Sequence, residues 1–142
     1  MKHLLIATAF AAMAATPALA DEEWRTDTGI QILYDSDLAS EGMAVLRLEG
    51  RPGVTMYVEG LAGVTEDRGT YSGIWFADES AQGEDGCSVA IVRPGPDGEP
   101  SKFWGQFEIT FIDKGFPSIW FGSFGTCFDP LVDQLVARPV TG

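Results

Sequence analysis

Apolar and polar residues alternate along several short stretches of the chain, most clearly from Lys102 to Asp113. Phe103, Phe107, Ile109 and Phe111 fall on one side of an extended backbone, with Gly105 between them, and Trp104, Gln106, Glu108 and Thr110 fall on the other. Strand side chains point alternately to opposite faces, so this period of two predicts a strand with one dry and one more polar face, as in an antiparallel sheet. Similar runs cover Gly29 to Tyr34, Met43 to Glu49, Val54 to Glu59, Thr70 to Phe76, Cys87 to Val92 and Ser118 to Phe124. Turn signals separate them at the short intervals of an all-β domain.

Gly50-Arg51-Pro52-Gly53 joins two of these strands into a hairpin, and Asp113 to Pro117 joins two more. Pro117 has no amide to donate and belongs at the start of the returning strand. Arg93 to Pro100 is too rich in proline and glycine for regular structure and predicts an exposed loop. The segment after Asp129 departs from the pattern. Asp129 is a potential N-cap, Pro130 suits a first helical position, and Leu131 and Leu135 lie four apart, which favours a short C-terminal helix over an eighth strand. The expected architecture is one small all-β domain, an antiparallel β-barrel or sandwich of about seven or eight strands.

Residues 1–20 change what the rest can be. Lys2 supplies a basic start, Leu4 to Ala15 an apolar stretch, and Ala18-Leu19-Ala20 a small-x-small cleavage site. This reads as a secretory signal peptide, leaving residues 21–142 as a single exported domain, periplasmic or secreted. The only histidine, His3, leaves with it. The mature chain thus lacks an imidazole for a Ser-His triad or a histidine-ligated metal. Two cysteines remain, Cys87 and Cys127. In an oxidising compartment they read as a disulfide, and closing a loop of about 40 residues stabilises a fold by roughly 4 kcal/mol in the chain-entropy model. A redox pair would want closer spacing, and a thiolate metal site further ligands.

Nine Lys and Arg against 21 Asp and Glu give a formal net charge of −12, and losing Lys2 makes it more negative. The remaining cations are scattered and form no basic stripe, which disfavours nucleic acid and anionic lipid. No apolar run in the mature chain is long enough to span a bilayer. Asp21 to Glu23 at the new N-terminus reads as a solvated, frayed end.

Aromatic residues are the main chemical clue. Trp75, Trp104 and Trp120 lie on expected strands. Small residues beside Trp75 and Trp120 leave surface where a flat ligand could stack, and Tyr71, Gln106 and Glu108 could orient the ligand. The polar companions Gln106 and Glu108 put Trp104 at a rim or beside a polar pocket. Filling a small β core is the simpler role for each ring. Tyr71-x-Gly73-x-Trp75 is similar to the glycine–tryptophan strand motif of lipocalin-like and avidin-like barrels, although theirs lies near the mature N-terminus. The similarity covers three to five residues and implies a barrel only. Two acidic segments, Asp78 to Gly86 and Asp35-Ser36-Asp37, lack the full ligand pattern of a calcium loop, so no metal or other cofactor is expected. Glu108 is the best single candidate for carboxylate-dependent glycoside hydrolysis, without an identifiable partner.

The expected function is therefore an exported, non-enzymatic β-domain. It binds a small apolar or aromatic ligand, or a partner protein, through Tyr71, Trp75, Trp104, Gln106, Glu108 and Trp120. The alternatives are a small hydrolase using Glu108 and an envelope structural or stress protein without ligand.

Overall fold

The computed structural model describes residues 22–50, 53–78, 86–114 and 118–140. Among these are ten strands: β1 (Glu23–Thr26), β2 (Gln31–Leu38), β3 (Met43–Glu49), β4 (Val54–Glu59), β5 (Thr70–Ala77), β6 (Ile91–Val92), β7 (Pro100–Ser101), β8 (Trp104–Phe111), β9 (Trp120–Phe124) and β10 (Asp133–Pro139). Eight of them form a closed antiparallel barrel in the order β1-β10-β9-β8-β5-β4-β3-β2, and β6 and β7 form a separate two-stranded hairpin between β5 and β8.

The alternation along each strand divides inside from outside. Ile32 and Tyr34 of β2, Ala44 and Leu46 of β3, Met56 and Val58 of β4, and Phe107, Ile109 and Phe111 of β8 pack with Trp24, Trp120 and Ala137 into one buried cluster. An eight-stranded barrel is just wide enough for side chains to fill, and large residues take that role here. Trp24 meets Trp120 edge to face, with ring centroids 6.2 Å apart, and its Nε1 donates to Ser118 O at 2.9 Å. Glycine appears where backbone and ring crowd together: a Cβ on Gly73 would strike Tyr57 O and the Phe107 ring. With apolar residues inside and charged ones such as Arg47 and Glu49 exposed outside, the barrel is the reverse of a lipid-facing one. No helix among the described residues is long and apolar enough to cross a membrane.

Several expectations need correction. The segment expected to begin a helix at Pro130 instead leads into β10, which pairs with β9 and β1 and closes the barrel. Local helix signals lose to the two unpaired sheet edges that this strand satisfies on both sides. β10 turns Leu135 and Ala137, two apart, toward the core. Cys87 to Val92 yields only the two-residue β6. The loop expected over Arg93 to Pro100 is the tip of the β6–β7 hairpin, with Pro100 already paired to Val92. The first expected strand runs on to Leu38, across a register shift between Tyr34 and Ser36.

The largest correction concerns the N-terminus. Glu22, expected to be solvated, is buried, and Glu23–Thr26 is a barrel strand. Arg68 donates to both Glu22 carboxylate oxygens, Nη1 at 2.7 Å and Nη2 at 2.9 Å, while its Nε donates to Val64 O at 2.8 Å. The guanidinium also stacks over Phe111, 5.0 Å from the ring centroid. Leu61, fully buried on the same β4–β5 connection, helps close this end. Nearby, the Tyr34 hydroxyl donates to Asp37. Burial, reinforced by that hydrogen bond and the Asp37 charge, holds the phenol well above its ordinary pKa. Residues 1–20, the expected signal peptide, lie outside the described residues, as do 51–52 and 115–117 at the centres of the two expected turns.

Candidate functional site

The outer wall of the barrel carries a second cluster, separate from the interior. Phe76 of β5, Trp104 of β8 and Cys87 are its buried centre, with Tyr57, Ile74, Ile91 and Cys127 packed around them. Its cover is residues 86–103, a flap built on the β6–β7 hairpin. Cys87 N–H donates to Lys102 O at 2.7 Å, and Trp104 Nε1 donates to Val89 O at 2.8 Å. Arg93 stacks on Phe76, 5.1 Å from the ring centroid, and reaches Ala77 O at 3.3 Å.

The expected disulfide joins Cys87 to Cys127. By its position it acts locally, tying the root of the flap to the 125–132 connection between β9 and β10. Cys127 N–H also donates to Trp104 O at 3.0 Å, and Cys127 has a positive φ of 55°, sparsely populated for a side-chain-bearing residue. Phe128 follows directly and lies edge-on to Trp104, with centroids 4.9 Å apart and 68% of its surface exposed.

Between flap and connection lies a groove of about 390 Å³, with Ile74, Ile91, Trp104, Gln106, Phe128 and Leu131 among its lining. Glu59, Ser72 and Glu108 line its other end. Strand register explains the order. Ser72 sits opposite Glu108, Ile74 opposite Gln106 and Phe76 opposite Trp104, while Val58 opposite Gly73 brings Glu59 beside Ser72. Each step of two residues advances about 6.6 Å, so apolar rings, then an amide, then a pair of carboxylates succeed one another along one face. At a strand spacing of about 4.8 Å, the Glu59 and Glu108 backbones stand about 10 Å apart across the small Ser72. Neither glutamate joins an ion pair among the described residues. Gln106 Nε2 lies 3.4 Å from Cys127 O, leaving its Oε1 to accept a further hydrogen bond.

The six candidate residues divide between the two faces. Trp104, Gln106 and Glu108 share the outer groove. Tyr71, Trp75 and Trp120 belong to the interior: Tyr71 packs edge-on to Phe111 at 5.9 Å, Trp75 Nε1 donates to Gly125 O at 3.0 Å, and Trp120 is fully buried. Trp120 Nε1 has no hydrogen-bond partner among the described residues. Sequence reasoning missed Phe128, Leu131, Glu59 and Ser72. Phe128 falls between the strand expected to end at Phe124 and the helix expected from Pro130, in which Leu131 would lie, and the polar pair joins Glu108 only through strand register.

A second depression of about 440 Å³ lies under the flap tip, lined by Asp35, Arg47, Tyr57, Arg93 and Asp97 among others. Both of its arginines already have partners within the protein. Arg47 faces Asp35 at 3.7 Å, and Arg93 is stacked on Phe76. Among the described residues no group of three or more His, Cys, Asp or Glu is arranged to hold a metal ion. The acidic run from Asp78 to Gly86 lies largely outside the described residues. Compared with known protein families, curated proteins and solved structures, the chain matches none.

Proposed function

We propose that this is an exported, non-enzymatic binding domain whose working surface is the outer groove between the flap and the 125–132 connection. The observation that carries the reading is Phe128. A phenyl ring 68% exposed, held edge-on to a buried tryptophan beside a disulfide-anchored connection, presents apolar surface at a fixed place. Rigid presentation lowers the ordering cost of association, and a central aromatic in a partly desolvated groove is the usual anchor of a binding surface. Leu131 and Ile91 extend that surface, while Gln106 and the glutamates add polar direction.

Hydrolysis is the weaker reading, although Glu59 now provides Glu108 with a neighbour. A glycosidase keeps its acid protonated by burial among apolar groups, and both glutamates are exposed to water. The binding reading is tested by selecting displayed random heptapeptides on the oxidised protein and counter-screening them against Phe128→Ser. Sequences that bind the wild type and lose the variant are expected. A selection yielding no Phe128-dependent sequence would overturn it.

A further inference from the structure

We propose that the groove takes a stretch of polypeptide bearing a bulky apolar side chain and, four residues away, a lysine or arginine whose cation sits over Ser72 between Glu59 and Glu108. The proposal rests on the groove being the binding surface and adds the chemistry of its occupant.

The charge of the groove selects a cationic occupant. Among the described residues the groove's lining contains two carboxylates and no cation, and neither carboxylate is ion-paired. Two like charges held on either side of a small serine repel each other, and one ammonium or guanidinium between them relieves both. An anionic or purely apolar occupant leaves that repulsion in place. The net charge of −12 draws cationic partners toward the whole surface in the same sense.

Exposed apolar surface selects a peptide over a small amine. Apolar surface continues past the groove along one connection, where Phe128 and Val132 are 68% and 73% exposed. Gln106, midway between the aromatic and acidic ends, offers an amide oxygen that can accept a main-chain N–H. The closed barrel has no free edge, so a peptide cannot add to its wall as a further strand, and along β5 and β8 recognition falls to side chains and this amide. Spacing follows from β8: Trp104 and Glu108 are four residues apart, about 13 Å along the strand, the distance between residues i and i+4 of an extended ligand.

The test uses the oxidised protein and acetyl-Gly-Phe-Ser-Thr-Ser-Lys-Gly-amide, with a counterpart carrying glutamine in place of lysine, titrated by amide NMR at low salt. The lysine peptide is expected to bind about three- to tenfold more tightly, shifting signals of Gln106 and the 125–132 connection. That advantage is expected to vanish in Glu59→Gln/Glu108→Gln and in high salt, and to survive Glu23→Gln on the opposite wall. If both peptides bind equally and both are lost in Phe128→Ser, the cation proposal falls and the groove reading stands. If neither peptide binds, or binding is indifferent to Phe128→Ser, both fall.

Discussion

Replacing Arg68 by methionine tests the physical account of the closed end of the barrel. Arg68 and Glu22 are 1% and 2% exposed at their side chains, and the guanidinium holds both carboxylate oxygens. Methionine fills much of the space and keeps the contact with Phe111, but leaves a buried carboxylate with no counter-charge. Breaking one side of a buried pair costs about 3–5 kcal/mol, a large share of the roughly 5–15 kcal/mol that holds a domain together. For a domain of this size the midpoint of thermal unfolding should fall by about 12–20 °C. Adding Glu22→Gln removes the stranded charge, so the double variant should be more stable than Arg68→Met alone by about 1–3 kcal/mol. Arg138→Met is the contrast. Its pair with Asp27 is 3.5 Å long and 60% and 69% exposed, and its loss should change stability by less than about 0.5 kcal/mol. Urea unfolding followed by tryptophan fluorescence, with the disulfide intact, measures these three variants and Glu22→Gln alone against the wild type. If Arg68→Met falls within about 1 kcal/mol of the wild type, or if the two substitutions are additive, the pair is not the buried closure described.

Two further predictions concern the flap and Tyr34. Cys87→Ser/Cys127→Ser should lose up to about 4 kcal/mol, yet amide NMR shifts should concentrate in residues 86–104 and 125–132, because the Trp24–Trp120 core is a separate cluster; collapse of the whole barrel spectrum would show the clusters to be one unit. The Tyr34 phenol has a raised pKa in the folded state, so its stabilising contribution is complete below the unfolded value of about 10 and is lost as pH rises beyond it. Ultraviolet titration should show one tyrosine resisting ionisation until alkaline unfolding, and Tyr34→Phe should abolish that step; an unchanged titration in the variant would refute the assignment.

Strands whose two faces differ were legible in sequence. β3 and β4 match their expected limits, and β8 divides Phe107, Ile109 and Phe111 from Trp104, Gln106 and Glu108 as the alternation implies. What was missed depends on partners distant in sequence. Glu22 and Arg68 are 46 residues apart, and nothing local distinguishes a glutamate that will be buried from one that will be solvated. β1 is four residues long, two of them charged, and acquires its meaning only between β2 and β10. The tryptophans separated for the same reason: alternation says that Trp75 and Phe76 oppose each other, but only the register of β5 on β8 puts Phe76, rather than Trp75, beside Trp104. The Cys87–Cys127 pairing needed no register, since two cysteines allow a single bridge.

The wall of the barrel is completed by its first and last strands, with Trp24 beside Pro139 and Val140 N–H donating to Glu23 O at 2.9 Å. Among the barrel strands, β10 is the last to be synthesised. Until it arrives, β1 and β9 face each other as bare edges, and the apolar lining between them is open to water. Joining residues so far apart in sequence is slow, because loop closure precedes any contact that rewards it. A chain truncated before Asp133 is therefore an open sheet with two sticky margins, suited to pairing with its own kind. Once β10 is seated between them the barrel wall has no margin to offer, so the docking of this one strand removes both bare edges in a single step.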